Sequence, residues 1–195
     1  MARALLGAYV VVRSPRASRD DAQARGAGAP LRAGRIVETE AYCGPRDLAC
    51  HARVGLTKRT RTLYGPPGHA YVFLIYGMYD CFNVVCAGEG KGHAVLVRAV
   101  EPVRGVDEGL RADGPGRLTR ALGITRAHDG VDLVEGSEIS LAPRDARVRV
   151  AVTARVGVAY AGEWADRPWR FLDAESRGVS RPPARSIGRA RASRA

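Results

Sequence analysis

Two glutamates, Glu38 and Glu40, stand close to a tyrosine in the stretch Gly34-Arg35-Ile36-Val37-Glu38-Thr39-Glu40-Ala41-Tyr42. Its β-branched and aromatic residues, and the Gly44-Pro45 turn signal after it, predict a β-strand. Side chains alternate along a strand, so Ile36, Glu38, Glu40 and Tyr42 are expected on one face. A carboxylate beside an aromatic ring suits a pocket that holds a flat ligand and deprotonates something next to it. The same pattern also describes an edge strand with solvated glutamates. Arg98 lies alone inside Ala94-Val95-Leu96-Val97-Arg98-Ala99-Val100 and needs an anion if buried. The cysteines Cys43, Cys50, Cys81 and Cys86 include no C-x-x-C pair, so zinc-ribbon spacing is absent. They read as reduced, mostly buried thiols; a metal site from Cys43, Cys50 and His51 is the weaker alternative, and neither metal nor cofactor is expected.

The elements that must position these groups are legible in outline. Leu5 to Val12 is apolar and ends in a strand, Tyr9 to Val12, followed by a long loop rich in Arg, Ala, Gly and Pro from Ser14 to Ala33. After the glutamate strand, Arg46 to His51 reads as one short helical turn. Gly55 to Gly68 is a loop carrying Lys58, Arg59 and Arg61, either a solvated loop or a phosphate clamp. Ala70 to Tyr76 is a second strand, broken by Gly77 and returning through Cys81 to Cys86 as a hairpin. Its tip holds Tyr76, Met78 and Tyr79, where polar residues are usual, and exposed apolar tips mark a partner. Beyond the Gly88 to Gly92 loop comes the Arg98 strand, His93 to Val100. A glycine-bounded helix follows, Gly114 to Ile124, with arginines near its start. Late strands at Ile139 to Leu141 and Arg147 to Val156, and an aromatic segment from Glu163 to Phe171, complete an α+β pattern. The expected fold is a single domain, residues 1–175, with a curved, mostly antiparallel sheet, surrounding short helices and a protruding β-hairpin. Residues 176–195 contain six arginines and no acid, and read as a basic, disordered tail.

Bulk properties narrow the partners. A chain of 195 residues that is 46% hydrophobic suffices for one real core. No apolar run approaches the ~20 residues of a membrane span, and the first residues are too short in apolar length for a signal peptide. The expectation is a cytoplasmic monomer, nucleoid-associated if bacterial, with no membrane partner. The net charge is +11 and rests on arginine, with Lys58 and Lys91 the only lysines, which favours nucleic acid over an acidic small molecule.

Chemistry on a base inside duplex DNA needs the base taken out of the stack, a side chain in the gap, a flat pocket and an acid or base within it. Extrusion costs a few kcal/mol, and stacking on aromatic rings returns roughly 1–3 kcal/mol per base. The carboxylate–aromatic strand, the apolar hairpin tip, the strand arginine and the basic surface supply those parts. The order of blocks then resembles the alkyladenine (3-methyladenine) DNA glycosylase family of the mammalian type. The blocks are Val37-Glu38-Thr39-Glu40-Ala41-Tyr42 with Gly44-Pro45 and His51; Ile75-Tyr76-Gly77-Met78-Tyr79 with Asn83; Leu96-Val97-Arg98-Ala99-Val100-Glu101-Pro102; Gly114-Pro115-Gly116-Arg117-Leu118; and Arg155-Val156-Gly157-Val158 with Ala161-Gly162-Glu163-Trp164. The resemblance runs from Leu5 to about Phe171.

It implies excision of damaged purines by hydrolysis of the N-glycosidic bond. Glu40 would be the general base that deprotonates water, with Arg98 and the main-chain carbonyl of Val156 holding that water. Tyr42, His51 and Phe73 would sandwich the extruded base, with the His51 amide at its edge, and Asn83 would line the pocket and help exclude guanine. Tyr76 would fill the vacated space, flanked by Met78 and Tyr79, while Lys58, Arg59 and Arg61 would meet the DNA backbone. Arg98 would also keep Glu40 ionised at neutral pH. A glycosylase-lyase needs an amine nucleophile, and the only lysines lie in loops, so a monofunctional enzyme that leaves an abasic site is expected. The chain departs from the family at Phe73, where some members have tyrosine, and at Thr57-Lys58-Arg59-Thr60, which lacks the usual proline and final asparagine. Glu38 shares the expected face of Glu40 and is the alternative base. A non-catalytic basic nucleic-acid-binding domain of the same fold is the alternative function; a glycoside hydrolase using both glutamates is weaker, since same-face neighbours flank a scissile bond poorly.

Overall fold

The computed structural model describes residues 1–13 and 31–180. Most of the loop expected after β1, and the tail beyond Ser180, lie outside the described residues. The centre is the strand β2 (Leu31–Cys43), three residues longer at its start than the sequence suggests. Along one edge it pairs antiparallel with β5 (His93–Arg104). Its other edge is shared: β1 (Tyr9–Arg13) pairs with Leu31–Arg35, and β8 (Arg170–Asp173) with Glu38–Glu40. The segment bearing the glutamates is therefore hydrogen-bonded on both sides and is not a solvated edge.

From β5 the sheet continues through β4 (Tyr79–Cys86) to β3 (Ala70–Ile75), and from β1 to β6 (Ile139–Ala142); β7 (Val150–Thr153) pairs with β8. All of these pairings are antiparallel, and the sheet curls into a half-barrel. Helix α1 (Pro115–Leu122) packs Leu118, Ala121 and Leu122 onto the core that also holds Phe82, Ile36 and Val97. Pro115 sits at its first turn, where a missing N–H costs nothing. Gly123, at φ 73°, ends it in the left-handed conformation that only glycine adopts freely. Each large aliphatic side chain buried here contributes roughly 1.5–3 kcal/mol. No helix among the described residues is long and apolar enough to cross a membrane.

The regular alternation expected across Ile36 to Tyr42 is broken. Register shifts fall between Ile36 and Glu38 and between Glu38 and Thr39. Ile36 joins the core cluster with Val97, whereas Glu38 and Glu40 bond to Arg98, the next residue along β5. A bulge of this kind re-aims side chains where a strand changes partners, here from β1 to β8.

Candidate active site

Two fully buried carboxylates share one guanidinium. Arg98 Nε donates to Glu38 Oε1 at 2.8 Å, and Arg98 Nη1 to Glu40 Oε2 at 3.3 Å. The surroundings separate the two. Glu38 also accepts from Arg170 Nε at 2.7 Å, from Ser180 Oγ at 2.8 Å and from the Ser180 amide at 2.5 Å. Its four donors, three on Oε1 and one on Oε2, enclose it within the sheet interior. Glu40 accepts from the Val156 amide at 2.7 Å and the Tyr42 hydroxyl at 2.9 Å. A carboxylate offers about four acceptor positions; Glu40 uses three and keeps room for one more donor on Oε1.

Burial pushes the Glu40 carboxyl above its ordinary value, and Glu38 adds to the rise; Arg98, the Val156 amide and the Tyr42 hydroxyl oppose it without cancelling it. The arginine thus restrains the carboxyl rather than holding it at the ordinary glutamate value. Burial would lower the Arg98 guanidinium, but Glu40 and Glu38 outweigh it and keep the charge firmly in place.

A cavity of about 660 Å³ opens in front of this pair. Tyr42, Arg98 and Val156 line it, so Glu40, itself 0% exposed, abuts it through the three groups it bonds. Alternation along β3 brings Tyr71, Phe73 and Ile75 to the cavity wall. His51 enters from the 3₁₀ turn His51–Val54, which Cys50 caps by accepting from the Ala52 amide. The His51 and Phe73 rings meet edge-on with centroids 4.4 Å apart, and Nδ1 of His51 lies 3.0 Å from the Tyr71 hydroxyl. Burial, with Arg59 and Arg53 adding to it, lowers His51 to about 4, so the imidazole is neutral at physiological pH. Tyr71 is raised to about 12, chiefly by burial, and stays a phenol.

Tyr42 is braced from outside the cavity. The Arg155 guanidinium sits 4.8 Å from its ring centroid and 5.0 Å from that of Trp169. Arg155 grips Asp47 through both oxygens, at 2.6 and 2.9 Å, and donates to the carbonyls of Ala41 and Trp164. Asp47 in turn accepts from the amides of Cys43 and Ala49, which fixes the loop leading to His51. Asn83 also lines the cavity. Its amide nitrogen donates to the carbonyls of Tyr71 and Cys81, which leaves its carbonyl oxygen as the group offered to a ligand.

At the rim, the turn Tyr76-Gly77-Met78 joins β3 to β4. Tyr76 takes a left-handed φ of 53°, costly for a side chain of its size, and is 78% exposed; Met78 is 70% exposed. The Tyr79 ring instead lies on Gly116 at the start of α1, where a Cβ would meet it at 2.8 Å. A buried carboxylate with an acceptor position open, an aromatic cavity and a strained, exposed aromatic tip now stand together. The family described as Methylpurine-DNA glycosylase (MPG) matches residues 1–177. The chain belongs to the methylpurine-DNA glycosylase family. Similar relatives bear the name "Putative 3-methyladenine DNA glycosylase". One from Myxococcus xanthus is 51% identical over 185 residues, covering 94% of this chain and 88% of the relative. One from Methanocella arvoryzae is 48% identical over 158 residues, covering 75% and 79%. One from Legionella pneumophila (strain Lens) is 41% identical over 182 residues, covering 93% and 91%.

Against this DNA glycosylase family, the expected residues sort by place. Glu40, Arg98, Tyr42, His51, Phe73, Asn83 and Val156 converge on the cavity or its floor. Val156 lines the cavity, and its amide also bonds Glu40. Tyr76 and Met78 stand free at the tip, and Tyr79 is seated on α1. Lys58, Arg59 and Arg61 lie exposed, and Arg59 stands 5.7 Å from the ring centroid of the cavity residue Phe73. Arg117, at the glycine-rich helix start, is paired with Asp113 at 3.1 Å. The sequence reading missed Tyr71, Asp47, Arg155, Arg170 and Ser180. Tyr71 lies two residues before Phe73 on β3, so strand alternation would have placed it on the same face. Arg155 and Arg170 reach partners more than a hundred positions away, which no local spacing reports.

Proposed function

We propose that this protein extrudes a damaged purine from duplex DNA into the cavity and hydrolyses its N-glycosidic bond, leaving an abasic site. The observation that carries the reading is the asymmetry of the two carboxylates: four donors from Arg98, Arg170 and Ser180 enclose Glu38, while Glu40 has three, all from residues that line the cavity, and keeps one acceptor position on Oε1. A water bound there would lose its proton to Glu40 as it attacks the sugar. The same carboxylate stabilises the oxocarbenium-like charge that develops as the bond breaks. Arg98 holds Glu40 in place, and its own charge is offset by Glu38.

The base would lie between Tyr42 and the His51–Phe73 pair, with the His51 amide and the Asn83 carbonyl oxygen at its edge. A neutral imidazole suits that stacking better than a cation facing an alkylated, positively charged base. Tyr76 would enter the duplex where the base has left, and Lys58, Arg59 and Arg61 would meet phosphates. Lys58 and Lys91 are both exposed and neither lines the cavity, which supports a monofunctional mechanism through water rather than an amine.

The test is single-turnover incubation with duplexes carrying one hypoxanthine, one ethenoadenine or one alkylated purine, read before and after alkali. The reading expects strand breaks only after alkali. Breaks formed without alkali would contradict the monofunctional step, and intact duplex with every lesion would leave a binding domain.

A further inference from the structure

The chain segment after β8 returns to the catalytic pair. Ser176 Oγ bonds Glu101 Oε1 at 2.5 Å and accepts from the Gly178 amide at 3.0 Å, which pins the segment across β5. Within the described residues it reaches Ser180, which is 3% exposed, although the sequence reading assigns residues from 176 onward to a disordered tail. The Ser180 hydroxyl donates to Glu38 Oε1 at 2.8 Å and accepts from Arg98 Nη2 at 3.3 Å, while its carbonyl accepts from Arg170 Nη2 at 3.2 Å. One hydroxyl proton and one lone pair thus bridge an anion and a cation, both buried.

We infer that Ser180 is a positioning residue for catalysis: its hydroxyl fixes Arg98 so that one guanidinium serves Glu38 and Glu40 together. Arg98 is held at three points, Glu38 through Nε, Glu40 through Nη1 and Ser180 through Nη2. The Glu38 bond is the short one, and the Glu40 bond is long. Without the hydroxyl, Glu38 loses a donor and Arg98 loses its third anchor. The guanidinium then settles toward Glu38, and Glu40 loses part of the cation that opposes its burial.

The groups facing Glu40 are Arg98 from β5, Glu38 and Tyr42 from β2, and the Val156 amide from the loop after β7, with Arg155 behind Tyr42. Of these, Arg98 and Glu38 bond the Ser180 hydroxyl, whereas Tyr42 and the Val156 amide bond Glu40 directly. The kinetic consequence rests on the glycosylase reading; the electrostatic one does not.

The experiment is an NMR titration of the Glu40 carboxyl in the full-length protein and in Ser180→Ala, beside single-turnover excision at each pH. Ser180→Ala is expected to move the Glu40 titration and the acid limb of excision to higher pH. It should slow excision at neutral pH roughly tenfold, the kinetic size of one charge-assisted hydrogen bond, with duplex binding unchanged. Ser180→Cys, similar in size but a poor hydrogen-bonding partner, should do the same, and Ser180→Thr should restore the parent values. A Glu40 titration unmoved in the Ala and Cys variants overturns the proposal, whatever happens to the rate. A moved titration in a protein that excises nothing upholds the positioning role and overturns the glycosylase reading instead.

Discussion

Around Glu38 and Glu40, the charged side chains are buried and bonded to one another: Arg98 spans both glutamates, and Arg170 and Ser180 close over Glu38. At the tip of the β3–β4 hairpin, Tyr76 holds a strained backbone and faces solvent with Met78. The first region is complete within the protein and does not need its ligand to organise it. The second combines backbone strain with exposed apolar side chains, which is what a surface completed by a partner looks like. Catalytic groups gain from being fixed before the substrate arrives, because reorganisation at the moment of reaction slows it. A wedge gains only when the duplex is there.

The comparison can be broken from the inside first. Arg98→Leu leaves Glu40 buried without a cation. It should lower stability by about 3–5 kcal/mol and abolish measurable excision; thermal unfolding and a single-turnover assay check both. Arg155→Ala leaves Asp47 uncompensated and Tyr42 unbraced. A loss of similar size, about 3–5 kcal/mol, is expected in denaturant unfolding, with weaker retention of the extruded base. At the tip the expectations invert. Tyr76→Ala keeps the Cβ that makes the left-handed backbone costly, so it should leave the unfolding midpoint nearly unchanged, and it should slow excision from duplex by roughly tenfold or more, in keeping with about 1–3 kcal/mol of stacking. Excision from duplex unchanged in Tyr76→Ala would show that the exposed tip is not the wedge. The smallest effect belongs to the basic loop: Lys58→Ala with Arg61→Ala should lessen the slope of log binding constant against log salt by about 0.9 per lost contact, measured by fluorescence anisotropy.

What could be read from the chain divides along the same line. The tip was visible because Tyr76, Met78 and Tyr79 are sequence neighbours of the wrong polarity for a turn. The strands were visible by alternation, and Glu40, Tyr42 and Arg98 by standing out in apolar or extended segments. What distinguishes Glu38 from Glu40 was not visible. It depends on Arg170 and Ser180, which approach from the far end of the chain, and on a bulge at Ile36–Thr39 set by β2 exchanging one neighbour for another. The start of β2 was hidden because Leu31 to Ala33 continues an arginine- and alanine-rich stretch, and only pairing with β1 makes it a strand.

Protonation gives the account its sharpest edge. The Glu40 carboxyl titrates above its ordinary value because burial outweighs Arg98. A carboxyl raised by folding favours the folded state at low pH, and that contribution is lost as pH rises through the folded-state titration. The ionised form of Glu40, the form that can act as a base, is therefore the one that folding disfavours. The most direct measurement is the pH dependence of single-turnover excision and of thermal unfolding for the parent and Glu40→Gln. The account predicts that parent excision falls as pH drops through the raised Glu40 titration. Glu40→Gln should lose roughly 10²–10⁴-fold in rate, the usual share of a general base, while binding duplex as tightly and unfolding no earlier at neutral pH. A variant that excises at the parent rate, or that loses binding and folding together with activity, would contradict the assignment of Glu40 as the base.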